Sequence, residues 1–368
     1  MRITLNWWTI VTPTYKNIHP RFKFNGHTYD VPNLKELAYS LIKEGANFER
    51  AIGDFLLDWF NGLPTITVGT SGSTGIPKII LLQKDHMINS ALATGAFFKM
   101  GPGTKALHCL PSNFIAGKMM LVRAMFLGWD LYGIQPTSSP VIPAGSYYDF
   151  CAMVPLQVQN SLTSLHRIGT LIVGGAPLSP ELRLRAGGGT TNIYETYGMT
   201  ETVSHIAVKR IADNLALELP FKALPNVVLS QDPRDCLVIK APKIMDGNIV
   251  TNDVVQLNSP SEFLWLGRYD NIINSGGIKL IPEQIEKKLS PLLISRFFVT
   301  GISDALLGQK LVLVIEGNVD SEQIYQEIRT LKSLSKYEIP KEIHSLPNFV
   351  ETGSGKVNRE ATLRILGL

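Results

Sequence analysis

The chain has 368 residues, with 35 basic and 31 acidic side chains and a net charge of +4. That length exceeds one compact core and predicts two or three units, and the charge excess is too small and too scattered for a nucleic-acid binder. Hydrophobic residues at 45% and charged ones at 18% are ordinary for a globular protein, and no stretch reaches about 18 uncharged apolar residues, so no membrane insertion is expected. Cys109, Cys151 and Cys236 are far apart and lack CxxC spacing, which excludes a zinc site and a disulfide frame and points to buried or idle thiols in a reducing compartment. The N-terminus lacks an h-region and a small-residue cleavage site, so a cytoplasmic protein is expected.

Two amphipathic helices open the chain. In NLKELAYSLIKEG, residues Leu34, Leu37, Ala38, Leu41 and Ile42 recur at helical spacing, with Asn33 as the expected cap and Gly45 as the stop. NFERAIGDFLLDWFNG repeats the pattern with Ala51, Ile52, Phe55 and Leu56 and ends near Gly62. A β-branched run, Thr65 to Val68, then leads into a Gly/Ser/Thr loop. Next come strand KALHCLP, helix IAGKMMLVRAMFLG, strand TLIVGG and strand TNIYETYG, the rhythm of an α/β domain. Short strands follow around CLVIKAPKIMDGNIVTNDVVQL. After FLWLGRYD the chain resets, with helix PEQIEKKL, strands RFFVTGI and KLVLVIEG, helix SEQIYQEIRTLKSL and a Gly-rich tail. The expected division is a large α/β domain over 1–269 and a small α+β domain over 270–368.

Five segments carry candidate chemistry. Thr70-Ser71-Gly72-Ser73-Thr74-Gly75-Ile76-Pro77-Lys78 packs four hydroxyls, two glycines and a lysine behind a strand, a composition that lets backbone N–H groups approach a polyphosphate. It is not a Walker loop, because only two residues separate its glycines and Pro77 precedes Lys78; the plain alternative is a surface linker. Tyr197-Gly198-Met199-Thr200-Glu201-Thr202 offers a ring for a nucleobase and a carboxylate for Mg²⁺, or equally a strand end and a helix cap. Gly174-Gly175-Ala176-Pro177 closes a strand and admits a flat ligand, or is a turn. The remaining two are Gly267-Arg268-Tyr269-Asp270 with Asn274-Ser275-Gly276-Gly277, and Gly353-Ser354-Gly355-Lys356 near the C-terminus, where Lys356 taken alone reads as a surface lysine.

In this order the five segments resemble the adenylate-forming superfamily of acyl-CoA synthetases, luciferases and peptide-synthetase adenylation domains, from about Thr65 to Arg359. The resemblance implies a large N-terminal domain of mixed sheets with flanking helices, shortened at its N-terminus, and a small mobile C-terminal domain. It implies ATP, Mg²⁺ and coenzyme A as cofactors. Thr70 to Lys78 would close over the phosphates, Gly175, Ala176 and Pro177 would border the adenine, and Tyr197, with Gly198 and Met199 beside it, would stack on it. Thr200 would contact the α-phosphate and Glu201 would hold Mg²⁺. Asp253 and Arg268 would bind the ribose, Asp270 would be the hinge, Gly276 and Gly277 would line the thiol tunnel, and Lys356 would act in adenylation. Three departures stand out: Asn252 replaces the glycine of the family's Thr-Gly-Asp element, Phe114 stands where many members carry a gate histidine, and little more than sixty residues precede the phosphate loop.

Within the superfamily the resemblance is closest to the o-succinylbenzoate–CoA ligase branch of menaquinone biosynthesis, through Tyr197 to Ser204, Arg123-Ala124 and the Gly-Arg-Tyr-Asp-Asn…Ser-Gly-Gly run. It implies an aromatic dicarboxylate substrate whose unreacted carboxylate needs a cation. Arg123 and Lys118, just past Gly117, are the candidates, with His205 behind them; a snorkelling surface cation is the plain alternative for either. Carrier-protein loading and a non-catalytic nucleotide-binding role share the nucleotide motifs, and a homo-oligomer is compatible with the sequence.

Overall fold

The computed structural model describes residues 13–69, 79–211, 218–351 and 357–368. The chain divides into two compact units. One takes Met1–Leu229, Ile239–Ile249 and Asn258–Phe263; the other takes Ser230–Val238, Val250–Leu257 and Leu264–Leu368. Segments well before residue 270 therefore join the second unit, through pairs such as Arg234 over the Tyr269 ring and Asn252 with Asp270. Such long-range partners have no local signature in the sequence.

In the first unit, strands β1 (Lys23–Phe24) and β2 (His27–Thr28) precede helices α1 (Val31–Glu44) and α2 (Asn47–Trp59). Asp30, not Asn33, caps α1: its carboxylate accepts from the Asn33 backbone N–H at 2.9 Å, because Pro32 lets the helix start earlier. Gly45 ends it, as the sequence predicts. The two helices pack through Leu34, Ala38 and Leu41 against Ile52, Phe55 and Leu56. A Cβ on Gly53 would stand 2.6 Å from the Ala38 carbonyl oxygen, so glycine sets this close crossing.

Strands β3 (Thr65–Gly69) and β4 (Ile79–Gln83) form an antiparallel pair, with Gly69 opposite Ile79. Helix α3 (Lys84–Phe98) follows, then β5 (Lys105–His108), α4 (Ile115–Leu127), β6 (Asp130–Gly133), β7 (Tyr148–Met153), α5 (Pro155–Asn160), β8 (Ile168–Val173), α6 (Pro180–Ala186), β9 (Asn192–Gly198), β10 (His205–Arg210) and β11 (Phe221–Ala223). The sheet of this unit runs β11-β10-β9-β8-β7-β5-β6-β1-β2, parallel from β9 through β6 to β1 and antiparallel at its ends. Parallel strands must be covered on both faces. Accordingly Leu107, Cys151, Leu171 and Ile193 are buried among Val158, Leu178 and Leu182. Cys109, Cys151 and Cys236 are free and buried.

Strands β12 (Val228–Gln231), β13 (Cys236–Lys240), β14 (Asn248–Ser259) and β15 (Glu262–Arg268) contribute residues to both units. The second unit adds β16 (Ile273–Ser275), β17 (Ile278–Leu280), α7 (Pro282–Leu289), β18 (Phe297–Asp304), β19 (Gly308–Glu316), α8 (Ser321–Thr330), β20 (Glu342–Leu346) and α9 (Arg359–Ile365). Its sheet runs β17-β16-β19-β18, with β20 parallel to β19. The core is built from Ile273, Ile285, Leu289, Val299, Leu313 and Ile328.

Candidate active site

The Tyr197–Glu201 segment lies where β9 turns back into β10, with Gly198 paired to His205. A Cβ on Gly198 would meet the Ser204 carbonyl oxygen at 2.3 Å, so the fold-back itself demands glycine. Thr200–Thr202 form a single 3₁₀ turn, leaving Glu201 exposed and Thr200 half-buried. Thr202 Oγ1 accepts from the Met199 N–H at 3.0 Å and fastens the turn. Val203 has φ +65° and ψ −53°, and the Ser204 N–H reaches the Thr202 carbonyl at 2.7 Å. That is a γ-turn of positive φ, rare and strained for a β-branched residue, at a cost of about 1–3 kcal/mol. The Tyr197 ring stands edge-on to Phe263, centroids 5.1 Å apart, and tilted against Phe221 at 5.8 Å.

The strained turn delivers Ser204 and His205 to Arg123. Helix α4 is apolar and buried from Gly117 to Leu127, so Arg123 is carried into the interior; it is 2% exposed. Its Nη2 donates to Ser204 Oγ at 2.8 Å and faces His205 Nδ1 at 3.3 Å, and its Nε donates to Thr94 Oγ1 of α3 at 3.3 Å. Nη1 meets only Met120 Sδ among the described residues, at 3.8 Å. Among the described residues no carboxylate lies within ion-pair distance of it. Burial pulls its pKa down to about 9, which still leaves it charged at neutral pH. The snorkelling alternative is overturned, because the guanidinium stays inside.

Lys118 goes elsewhere. Its Nζ lies over the Phe55 ring of α2 at 5.3 Å; burial lowers its pKa and the nearby Asp58 and Asp54 oppose the fall. Five residues along a helix turn it away from Arg123, so the structure does not bring these two candidate cations together. A Cβ on Gly117 would meet the Pro111 carbonyl oxygen at 2.2 Å, so that glycine lets the preceding loop close on α4. Phe114 stands at the helix start and is 53% exposed.

Gly175, Ala176 and Pro177 are exposed beyond β8, and Gly175 has φ +88°. The turn is tied down by Glu195 of β9, a residue that sequence reasoning missed. Glu195 Oε1 accepts from the Leu178 N–H at 2.9 Å, and the carboxylate pairs with Lys209 at 2.8 Å and Arg183 at 2.9 Å. Burial alone would raise its pKa, but Lys209 and then Arg183 outweigh burial and hold it below the ordinary value. The available signal was an acidic side chain inside a β-rich run, NIYETYG, with basic residues on either side in sequence.

In the second unit, Asp253 is buried and accepts from Trp265 Nε1 at 3.0 Å, with Arg268 Nη1 at 3.6 Å. Arg268 also pairs with Asp270 at 3.0 Å, which joins the proposed ribose ligand to the proposed hinge. Asn252 donates to both Asp270 oxygens at 3.3 Å and accepts from Arg234 at 3.2 Å. The residue that replaces the family glycine is therefore a brace on Asp270. Gly276 and Gly277, at φ +57° and +82°, form the two-residue turn of the β16–β17 hairpin, a conformation that calls for glycine. Thr70, Ser71, Gly72, Ser73, Thr74, Gly75, Lys78 and Lys356 lie outside the described residues.

The described residues thus form an α/β unit with a largely parallel sheet and a smaller α+β unit. Residues 68–227 match the AMP-binding enzyme family. The crystal structure of an AMP-forming acyl-CoA synthetase/AMP-acid ligase II-like protein from Dyadobacter fermentans is 36% identical, with a TM-score of 0.61, over 90% of this chain and 98% of that one. The chain belongs to the AMP-binding enzyme family, and its class is that of the AMP-forming acyl ligases. A probable 2-succinylbenzoate–CoA ligase of Mycobacterium tuberculosis is 28% identical over 81% of this chain and 84% of that protein. The fold is shared with the o-succinylbenzoate coenzyme A synthetase of Bacillus subtilis in complex with ATP and magnesium ion, at 19% identity and a TM-score of 0.65 over 81% of this chain and 69% of that one.

Proposed function

We propose that this protein joins an aromatic dicarboxylic acid, o-succinylbenzoate first among candidates, to coenzyme A through an acyl-AMP intermediate. The observation that carries the substrate reading is the buried Arg123 guanidinium with no carboxylate partner among the described residues. A buried charge without a counter-ion is costly, and a substrate that brings a second carboxylate supplies one. Relatives named as 2-succinylbenzoate–CoA ligases support the same reading.

Adenylation brings one anion onto another, so the site's task is charge neutralisation; a carboxylate is already the nucleophile at neutral pH and needs no general base. Lys356 is assigned to the acyl carboxylate and α-phosphate, Thr200 to the α-phosphate, Thr70 to Lys78 to the outer phosphates, Tyr197 and Gly175 to Pro177 to the adenine, and Asp253 with Arg268 to the ribose. Glu201 suits Mg²⁺: it is exposed, makes no ion pair among the described residues, and stands apart from any protein-built cluster, since no group of three or more His, Cys, Asp or Glu among those residues could hold a metal alone. Mg²⁺ takes one or two carboxylates and completes its shell with phosphate oxygens and water, and when bound it would add positive charge at the phosphates.

The test is an ATP/pyrophosphate exchange screen over mono- and dicarboxylic acids, followed by thioester formation with and without coenzyme A. The expected result is exchange driven best by o-succinylbenzoate and a thioester that requires coenzyme A. Preference for fatty acids or plain benzoates would defeat the substrate reading, and transfer only to a carrier-protein thiol would defeat the acceptor.

A further inference from the structure

We propose that Gln157 is a positioning residue for the nucleotide site: it fixes the carboxyl end of β7, so that the Val154 side chain forms a wall for the adenine beside the turn Gly174–Pro177. This rests on the assignment of Gly175 to Pro177 to the adenine, and adds a residue that acts on the ligand only through another.

Gln157 lies in the first turn of α5 and is 4% exposed. Its amide has one acceptor oxygen and two N–H donors, and all three are engaged. Oε1 accepts from the Val154 N–H at 3.2 Å, at the end of β7. Nε2 donates to the Cys109 carbonyl at 2.9 Å, just beyond β5, and to the Thr137 carbonyl at 2.9 Å, in the loop that follows β6. One buried side chain thus ties the main chain together where three neighbouring parallel strands leave the sheet. A Gln at the third helical position that reaches back to the N-cap N–H is also half of a capping box, and a helix cap is the plain alternative. A cap needs only Oε1. The two bonds from Nε2 serve no helix end; they join β7 to β5 and β6.

In an open parallel sheet, ligands bind beyond the carboxyl ends of the strands. The turn Gly174–Pro177 stands at that edge, directly after β8, which pairs parallel to β7. Its Gly174 N–H donates to the Met153 carbonyl at 3.1 Å, one residue before Val154. Val154 is 37% exposed, and a Cβ on Gly175 would meet its Cγ1 at 3.6 Å. An apolar, part-exposed side chain therefore lies against the glycine assigned to the adenine, where it offers a flat base an apolar flank. Glu195 holds the far end of the same turn through the Leu178 N–H, and Gln157 holds the near side through Val154. Without Gln157, one buried N–H and two carbonyls lose their partner at once.

Asn160 makes a useful contrast. It sits on the same helix and donates to the Ser138 carbonyl at 3.0 Å, next to Thr137, but it is exposed. Water can replace that bond, and Asn160 holds no strand end.

The experiment measures AMP binding by isothermal titration calorimetry, and kcat and the KM for ATP in ATP/pyrophosphate exchange with the best acid of the screen. It compares the native protein with Gln157→Met, Val154→Ala, their double variant, Asn160→Ala and Ala176→Leu. Methionine keeps the length of the side chain and removes all three hydrogen bonds. Gln157→Met should weaken AMP binding and raise the KM for ATP about tenfold, with kcat at saturating ATP changed less than about twofold. The double variant should be no worse than the worse single variant, because Gln157 acts through Val154. Asn160→Ala should bind AMP as the native protein does. Ala176→Leu sets bulk on the assigned adenine border and should weaken AMP binding; unchanged binding there would defeat the adenine assignment itself. If Ala176→Leu weakens binding while Gln157→Met does not, only the role of Gln157 falls. It falls also if Gln157→Met lowers kcat as much as it raises KM, if its effect adds fully to that of Val154→Ala, or if Asn160→Ala loses as much. Should Gln157→Met fail to fold, methyl NMR of the native protein with AMP decides. The Val154 methyl protons should show a contact with a proton of the adenine ring, and a missing contact would overturn the proposal.

Discussion

On the paired strands β9 and β10, Glu195 faces Lys209 while Gly198 faces His205, so two clusters of buried charge lie on one ladder. The Glu195 cluster is closed. Its carboxylate answers Lys209, Arg183 and the Leu178 N–H, and burial is offset by direct pairing. The Arg123 cluster is open: its guanidinium is met by hydroxyls, an imidazole and a sulfur, all neutral. Lys84 falls on the closed side. It is fully buried, yet its Nζ donates to the Asp58 and Trp59 carbonyls at 2.9 and 2.8 Å and to Asn61 Oδ1 at 3.0 Å, capping the end of α2. A charge that the fold itself satisfies is a packing device. A charge that the fold buries and leaves short of an anion is the better sign of a ligand site.

The sharpest way to break this comparison is Arg123→Ala. Removing the charged partner of a desolvated carboxylate should cost about 2–5 kcal/mol, or about 30- to several-thousand-fold in kcat/KM for the diacid. The KM for ATP should stay nearly constant, and equal losses for diacid and ATP in steady-state kinetics would place Arg123 in general packing instead. Glu195→Ala should do the reverse. It strands Lys209 and Arg183, and urea unfolding should show a loss of about 3 kcal/mol. An unshifted midpoint would show that Lys209 and Arg183 do not depend on Glu195 for their pairing.

Titration separates the two kinds of site further. Glu195 has a depressed folded pKa, so its contribution is complete above the ordinary value of 4.5 and is lost only as pH falls through the lower folded value. His108 is pulled down by burial from 6.5 to about 4. Its unfolded form takes up a proton first, so stability present above pH 6.5 is lost progressively as pH falls toward about 4. His108→Gln should flatten the denaturation midpoint between pH 6.5 and about 5, where the native imidazole accounts for about 2 kcal/mol. A slope unchanged in the variant would assign that window to other groups; His205 has the same sign. The smallest effect is expected of Lys118→Met. With its ammonium over Phe55, its loss should change the diacid KM by less than about twofold. A large rise in that KM would return Lys118 to the acid site.

Much of the molecule was legible from local pattern. Helical spacing in 31–59, β-branched runs in 65–68 and 168–173, and the glycines at 198 and 276–277 each state a backbone requirement within a few residues. The family-like order of motifs is likewise legible in the sequence, because each motif is a short run of neighbouring residues. What the sequence left open was direction. Arg123 and Lys118 share one apolar helix, and only the packing of α3, α2 and β10 around α4 turns one toward Ser204 and His205 and the other toward Phe55. Glu195 was invisible as a positioning group because its partners lie 12 and 14 residues away and meet it only when β9 pairs β10 and α6 docks. Asn252 read as the loss of a turn glycine and proved to be a brace on Asp270. Backbone demands are set by neighbours in the chain, whereas the fate of a charge depends on what tertiary packing places against it, and that is decided only when the chain folds.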